Sequence, residues 1–211
     1  MTPTPATTCQ DQRRDKRRRA IIEAARQLFL EKGYGATTLS DIVSRSGGSL
    51  STLYELFENK SGLLRAVVED ACDDLLSAIE SATIDDKAPR DALSIIAEYF
   101  SLRLADPELI SILRVIATET VKFPELGAQF YASGPVAARR LIGDYLRRQQ
   151  TLGLLIIDNA EEAATLFLQM LLGESHFRSL CGLPAWQSET QRQHHVTYIV
   201  GLFLQIHQSP V

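Results

Sequence analysis

Apolar residues recur three and four positions apart through most of this chain, the period of an amphipathic helix rather than of a strand. Ile21, Ala25, Leu28 and Phe29 form one stripe and predict a helix over 15–32. Leu39, Ile42 and Val43 predict a second over 38–46, and Leu53 and Phe57 a third over 50–57. Longer stripes follow. Leu64, Val67, Val68, Ala71 and Leu75 mark 60–82; Leu93, Ile96, Ala97, Phe100 and Leu104 mark 89–105; Leu109, Ile112, Leu113 and Ile116 mark 107–121. A short helical piece is expected from Pro124 through Tyr131, then a restart at Gly134-Pro135 to 150, then two last helices over 158–180 and 189–207. The apolar run Leu154 to Ile157 imitates a strand but has no partner run. The expectation is an all-α protein of about nine helices.

Punctuation agrees with the stripes. Thr38 is a good N-cap, with Asp41 placed to complete a capping box. Ser46-Gly47-Gly48-Ser49 makes a sharp corner, Ser49 capping the next helix. Asn59 caps the helix after it, Asp106-Pro107-Glu108 is a strong start signal, and Asp158 with Glu161 opens another helix. The helix over 50–57 has about two turns and cannot stand alone, so its polar face is presented rather than stabilised. Ser49, Ser51, Thr52 and Tyr54 put hydroxyls near its start. Such groups let a helix N-terminus approach phosphates and donate hydrogen bonds without bulk, as the second helix of a helix-turn-helix does in a DNA groove. A plain corner between two helices shares this local pattern.

The charge distribution leans toward the first of these. Residues 1–60 hold 10 Lys+Arg and 7 Asp+Glu, net +3; residues 61–211 hold 12 and 19, net −7; together these give the chain's −4. A basic head on an acidic body fits a DNA reader joined to another module. The tract 13–19, RRDKRRR, places six cations in seven positions beside the corner, where they can meet phosphates.

From Arg18 to Leu64 the chain resembles the N-terminal domain of the TetR-type (tetracycline-repressor) bacterial regulators. The likeness rests on Ile22, Ala25, Leu28, Phe29, Gly33, Thr37, Thr38, Ile42, Gly47, Ser49, Thr52, Leu53, Tyr54, Phe57, Lys60 and Leu63. Departures are Val43 and Ser46 where Ala is usual, Gly48 where a β-branched residue is usual, and Ser51 where Gly is common; a looser turn is expected. The resemblance implies DNA contact through Arg17 and Arg18, through Thr38, through Ser49, Leu50, Ser51, Thr52 and Tyr54, and through Lys60 against phosphate. Residues 1–12 are Pro/Thr-rich and are expected to be a disordered arm; the resemblance makes 13–60 a DNA-binding domain and 61–211 an effector-binding and dimerisation domain.

FPELGAQFY, Gly134-Pro135 and GLLIIDNAEEAATLF resemble a C-terminal domain type of the same family. The last two helices are apolar on more than one face, which calls for a second burial surface. The family builds a four-helix dimer interface from that pair. Ala160, Ala164, Leu171, Val196, Ile199, Val200 and Phe203 are therefore expected at a homodimer interface. The family also implies an apolar effector cavity, with Cys72, Phe100, Arg103, Leu104, Arg114, Ile116, Phe123, Phe130, Tyr131, Phe167 and Met170 as candidate lining, the two arginines suiting an acidic group. The expected function is a ligand-responsive repressor: a dimer bound to a palindromic DNA operator, released by a small apolar or aromatic effector.

Other classes have less support. The chain carries no HExxH, P-loop, GxSxG or dinucleotide fingerprint, so it is not read as an enzyme, and no cofactor or metal is expected. His176, Cys181 and His194 are the residues a metal sensor would have to use; Cys9, Cys72 and Cys181 form no CxxC, so a redox sensor would depend on a lone thiol. A helical adaptor that binds protein and not DNA remains the principal alternative. Few, scattered cysteines, an N-terminus without an apolar core and no bilayer-length apolar run fit a bacterial cytoplasmic protein with no membrane partner.

Overall fold

A computed structural model describes residues 9–81 and 84–207, apart from the side chains of 9, 10, 74–76, 78–81 and 85. Its helices are α1 (Cys9–Lys32), α2 (Leu39–Ser46), α3 (Leu50–Phe57), α4 (Lys60–Ser81), α5 (Pro89–Arg103), α6 (Pro107–Glu119), α7 (Pro124–Tyr131), α8 (Ala137–Thr151), α9 (Ala160–Leu180) and α10 (Glu189–His207), with a 3-10 turn at Ile84–Asp86. Among the described residues there is no strand. Residues 154–157 run between α8 and α9, alternating exposed Leu154 and Ile156 with buried Leu155 and Ile157.

Three boundaries differ from expectation. Of the arm over 1–12, residues 1–8 lie outside the described residues, but Cys9 onwards is already helix. No breaker separates Cys9 from the basic tract, and Asp11 sits in the first turn, where a carboxylate favours the helix dipole. Second, Gly134-Pro135 does not restart the chain. Ala132–Val136 is a π-helical turn that joins α7 to α8 without a break. A widened turn tolerates Pro135, which lacks an N–H and would crowd a carbonyl of a regular α-turn. Read through that turn, the described chain has the nine helices expected. Third, α9 is capped by Asn159, whose Oδ1 accepts from the Glu161 and Glu162 N–H groups (3.0 and 3.3 Å), and not by Asp158.

The helix α9 is interrupted at Gly173, whose φ of 41° and ψ of −145° suit glycine alone. Across from it, His195 Nε2–H donates to the Leu171 carbonyl (3.3 Å), and the His195 ring packs on Trp186, centroids 5.1 Å apart.

The apolar side chains gather into two cores. One joins α1–α4 to α6 and α7: Ile22, Leu28, Ile42, Leu53, Leu63 and Val67 pack with Ile112, Ile116 and Leu126. The other joins α5, α8, α9 and α10 through Leu93, Ile96, Tyr145, Phe167, Val200 and Phe203. The first core therefore runs past residue 60 and fastens the N-terminal helices to part of the C-terminal half. An α1–α6 ion pair, Arg26 to Glu108 (2.6 Å), adds to that seam.

Candidate nucleic-acid interface

The corner is built as its sequence requires. Thr38 Oγ1 accepts from the Asp41 N–H (3.1 Å) and Asp41 Oδ2 accepts from the Thr38 N–H (3.0 Å), closing the capping box. The Thr38 backbone N–H, then its side chain, holds the Asp41 carboxyl below its ordinary range. Buried Thr37 donates its hydroxyl toward the Leu28 and Gly33 carbonyls (3.1 and 2.8 Å), tying the end of α1 to the start of α2. Glu31 and Arg45 brace α1 against α2 through two 2.8 Å bonds. Ser49 Oγ accepts from the Thr52 N–H (3.1 Å) and lies 3.0 Å from the Thr52 hydroxyl.

On that frame α3 buries Leu53 and Phe57 and turns its other side outward. Leu50 is 40% exposed and Tyr54 51%, and Ser49 and Ser51 are exposed. Thr52 is half-buried. Small hydroxyls and one phenol therefore stand clear on a short helix held from behind, with its N-terminal N–H groups at the same end. Arg13, Arg14, Lys16 and Arg19 project from the first part of α1 into solvent.

Three expected contacts are engaged within the protein. Arg17 Nη1 donates to the Ser46 carbonyl (3.1 Å), and its guanidinium lies 3.3 Å from where a Cβ on Gly48 would stand. With φ of +94° at Gly48 as well, the departure from a β-branched residue has a cause: Arg17 occupies the space and holds the turn that sequence alone made look loose. The Arg18 guanidinium packs over the Phe57 ring, 5.8 Å from its centroid. Lys60 Nζ donates to the Gly35 carbonyl (3.3 Å) and sits 4.4 Å from the Tyr34 ring centroid. Sequence patterning located these cations but not their partners, which come from tertiary packing.

The model described as "Bacterial regulatory proteins, tetR family" matches residues 21–67, and the one described as "AefR-like transcriptional repressor, C-terminal domain" matches residues 91–208. The chain belongs to the TetR family. It is a helix-turn-helix transcriptional regulator, of a family of regulators rather than of enzymes. The TetR-family protein is similar to the regulator YvkB of Bacillus subtilis, 27% identical over 156 residues, covering 72% of this chain and 78% of that one. It is 38% identical over 85 residues to the repressor ComR of Escherichia coli, 40% of this chain and 39% of that one. Among solved structures, the flavonoid-responsive regulator FrrA is 28% identical with a TM-score of 0.77, covering 93% of this chain and 100% of that one. A TetR-family regulator of Mesorhizobium loti shares the fold at a TM-score of 0.84 and 24% identity, covering 93% and 99%.

The C-terminal sites are arranged differently from the sequence expectation. Ala160, Ala164, Leu171, Val196, Ile199, Val200 and Phe203, expected between subunits, are all buried within this one chain. They are the inward face of α9 and α10. The outward face carries Leu166, Phe177 (68% exposed), Tyr198 and Ile206 (55%) instead. Large apolar residues stand on both faces, so periodicity could not say which was which.

The effector candidates divide between the cores. Phe100, Leu104, Phe167 and Met170 belong to the α5–α10 core; Cys72, Ile116, Phe123 and Phe130 belong to the other. Tyr131 is exposed, with Arg139 over its ring at 5.3 Å. Arg103 donates to the Ala71 carbonyl (2.9 Å) and pairs with Asp106. Arg114 donates to the Ser179 and Leu180 carbonyls at the end of α9. Burial pushes the Cys72 thiol up to about 11, which keeps it protonated. An open groove of about 600 Å³ lies elsewhere, between α8 and the start of α9, lined by Arg139, Arg140, Arg147, Glu161 and Glu162 among others. Among the described residues no His, Cys, Asp and Glu cluster could hold a metal, so His176, Cys181 and His194 do not form one, and no helix is long and apolar enough to cross a membrane.

Proposed function

We propose that this TetR-family regulator is a ligand-responsive repressor acting as a homodimer in the bacterial cytoplasm, at the nucleoid, without catalytic chemistry. Two copies of α3 sit in successive major grooves of a palindromic operator, about 34 Å apart, and a small apolar or aromatic effector releases them. The observation that carries this reading is the outward face of α3, Ser49 to Tyr54, set on a buried Leu53–Phe57 back in a TetR-family head. The outward apolar residues of α9 and α10 are the subunit interface in this reading, replacing the inward set. The effector seat is the seam between the cores, where Cys72, Phe130 and Arg103 approach; FrrA, described as flavonoid-responsive, supports an aromatic compound.

Selection of bound duplexes from a random pool tests the DNA step: a two-fold symmetric site with steep salt dependence is expected. Recovery of no duplex overturns it in favour of a helical adaptor. Titration of aromatic compounds against that duplex tests release, and a compound that binds tightly without altering DNA affinity overturns the coupling. Repression of a reporter carrying the site, rather than activation, tests the direction; the relative FasR of Mycolicibacterium smegmatis, 33% identical over 87 residues, is described as an activator.

A further inference from the structure

Lys60, the first residue of α4, is held in a seat made by both halves of the molecule. Its Nζ donates to the Gly35 carbonyl and lies over the Tyr34 ring. That ring is gripped by Phe29 from α1 and by Phe123 from the link after α6, each with centroids 5.3 Å away. Glu119 ends α6. Its Oε1 accepts from the Gly35 N–H (3.3 Å), while its Oε2 is buried without a hydrogen-bond partner. The Gly35 backbone is thus held at its carbonyl by Lys60 and at its N–H by Glu119.

The Lys60 ammonium is part-buried, and one oxygen of Glu119 is shielded from water. Burial disfavours the Lys60 ammonium, and the Glu119 carboxylate partly offsets that penalty. Burial likewise raises the Tyr34 phenol, with Glu125 and Glu119 adding to the effect. A part-buried ammonium leans on the field of a nearby carboxylate, and removing that charge leaves more of its burial penalty unmet.

We propose that Glu119 is a positioning residue for DNA binding: its carboxylate keeps Lys60 stowed against Tyr34 and Gly35, and separation of Glu119 from the head turns Lys60 out toward a phosphate. The inference rests on the DNA-binding reading above and specifies how the body regulates that site. The described conformation is the one with Lys60 withheld. In the DNA-bound form Glu119 and Lys60 stand apart, so a movement of the α6 end of less than one helical turn changes how many phosphates the head neutralises.

Glu119→Gln removes the charge with almost no change of shape, and it separates this from a merely structural role. With the duplex recovered by selection, the slope of log affinity against log salt steepens by about 0.9 for each further phosphate neutralised, and affinity at low salt rises several-fold. In a Lys60→Met background the same substitution leaves the slope unchanged. A readout without DNA runs alongside: acetic anhydride modification of Lys60, followed by peptide mass, rises several-fold in Glu119→Gln, whereas Glu119→Asp, which keeps the charge, stays near the parent protein. Helix content by circular dichroism confirms that each variant is folded. Unchanged Lys60 reactivity, weaker DNA binding at an unchanged slope, or steepening that persists without Lys60 overturns the proposal. If the parent protein binds no duplex, the DNA reading fails, while the reactivity experiment still decides whether Glu119 holds Lys60.

Discussion

The helix α3 and the pair α9–α10 solve the same packing problem and present opposite surfaces. Each lays an apolar back into a core. From α3 the solvent meets Ser49, Ser51 and Tyr54; from α9 and α10 it meets Leu166, Phe177, Tyr198 and Ile206. Once the inward face is satisfied, the outward face is free to specify a partner. Small donors suit a charged, hydrogen-bonding surface such as a DNA groove, whereas large apolar groups suit a second protein surface that excludes water.

The largest effect is expected from attacking the apolar face. Phe177→Glu with Tyr198→Glu places carboxylates in the proposed interface and costs the dimer about 4 kcal/mol or more, enough to give monomers in sedimentation at micromolar concentration. Thermal unfolding of the monomer is expected to remain cooperative. Its inward counterpart, Phe203→Ala, leaves a cavity worth about 3–5 kcal/mol and lowers the melting temperature directly. Equal behaviour of the two variants would erase the distinction between the faces.

In the head, Leu53→Ala is expected to cost about 2–5 kcal/mol of stability, read by denaturant unfolding. Ser51→Ala, two residues away and outward, leaves unfolding within about 0.5 kcal/mol but weakens duplex binding by about 1 kcal/mol. A smaller effect belongs to the cap: Thr38→Ala costs about 1 kcal/mol, visible as earlier melting of α2 in amide exchange. The smallest is acid sensitivity. The Asp41 carboxyl is held low, so its contribution is complete above the ordinary carboxylate range and is lost as pH falls through the lowered value. Protection of the Thr38 amide should fade in that window, and Asp41→Asn should remove the pH dependence.

Legibility followed sequence distance. The head could be read because its determinants are local: the box from Thr38 to Asp41, the Ser49 cap and the Leu53–Phe57 back all lie within 20 residues. The body was legible as helices but not as a site. The seven residues assigned to an interface are buried within the chain, and a helix with large apolar residues on two sides hides its own orientation. The eleven effector candidates were pooled by chemistry; the chain divides eight of them between two cores and leaves Tyr131, Arg103 and Arg114 outside both. Glu119 left no trace near Lys60 because 84 residues separate it from Gly35, the backbone they share.

The irregularity at Gly173 bears on how an assembly would be tuned. The outward pair is a jointed beam, with α10 splinting the joint through His195 and Leu171. A partner clasping both sides of such a joint fixes the bend between the two segments. In the proposed dimer, a change at that single glycine, or at the imidazole beside it, would therefore re-aim whatever the two subunits hold at their far ends, with the reading heads themselves untouched.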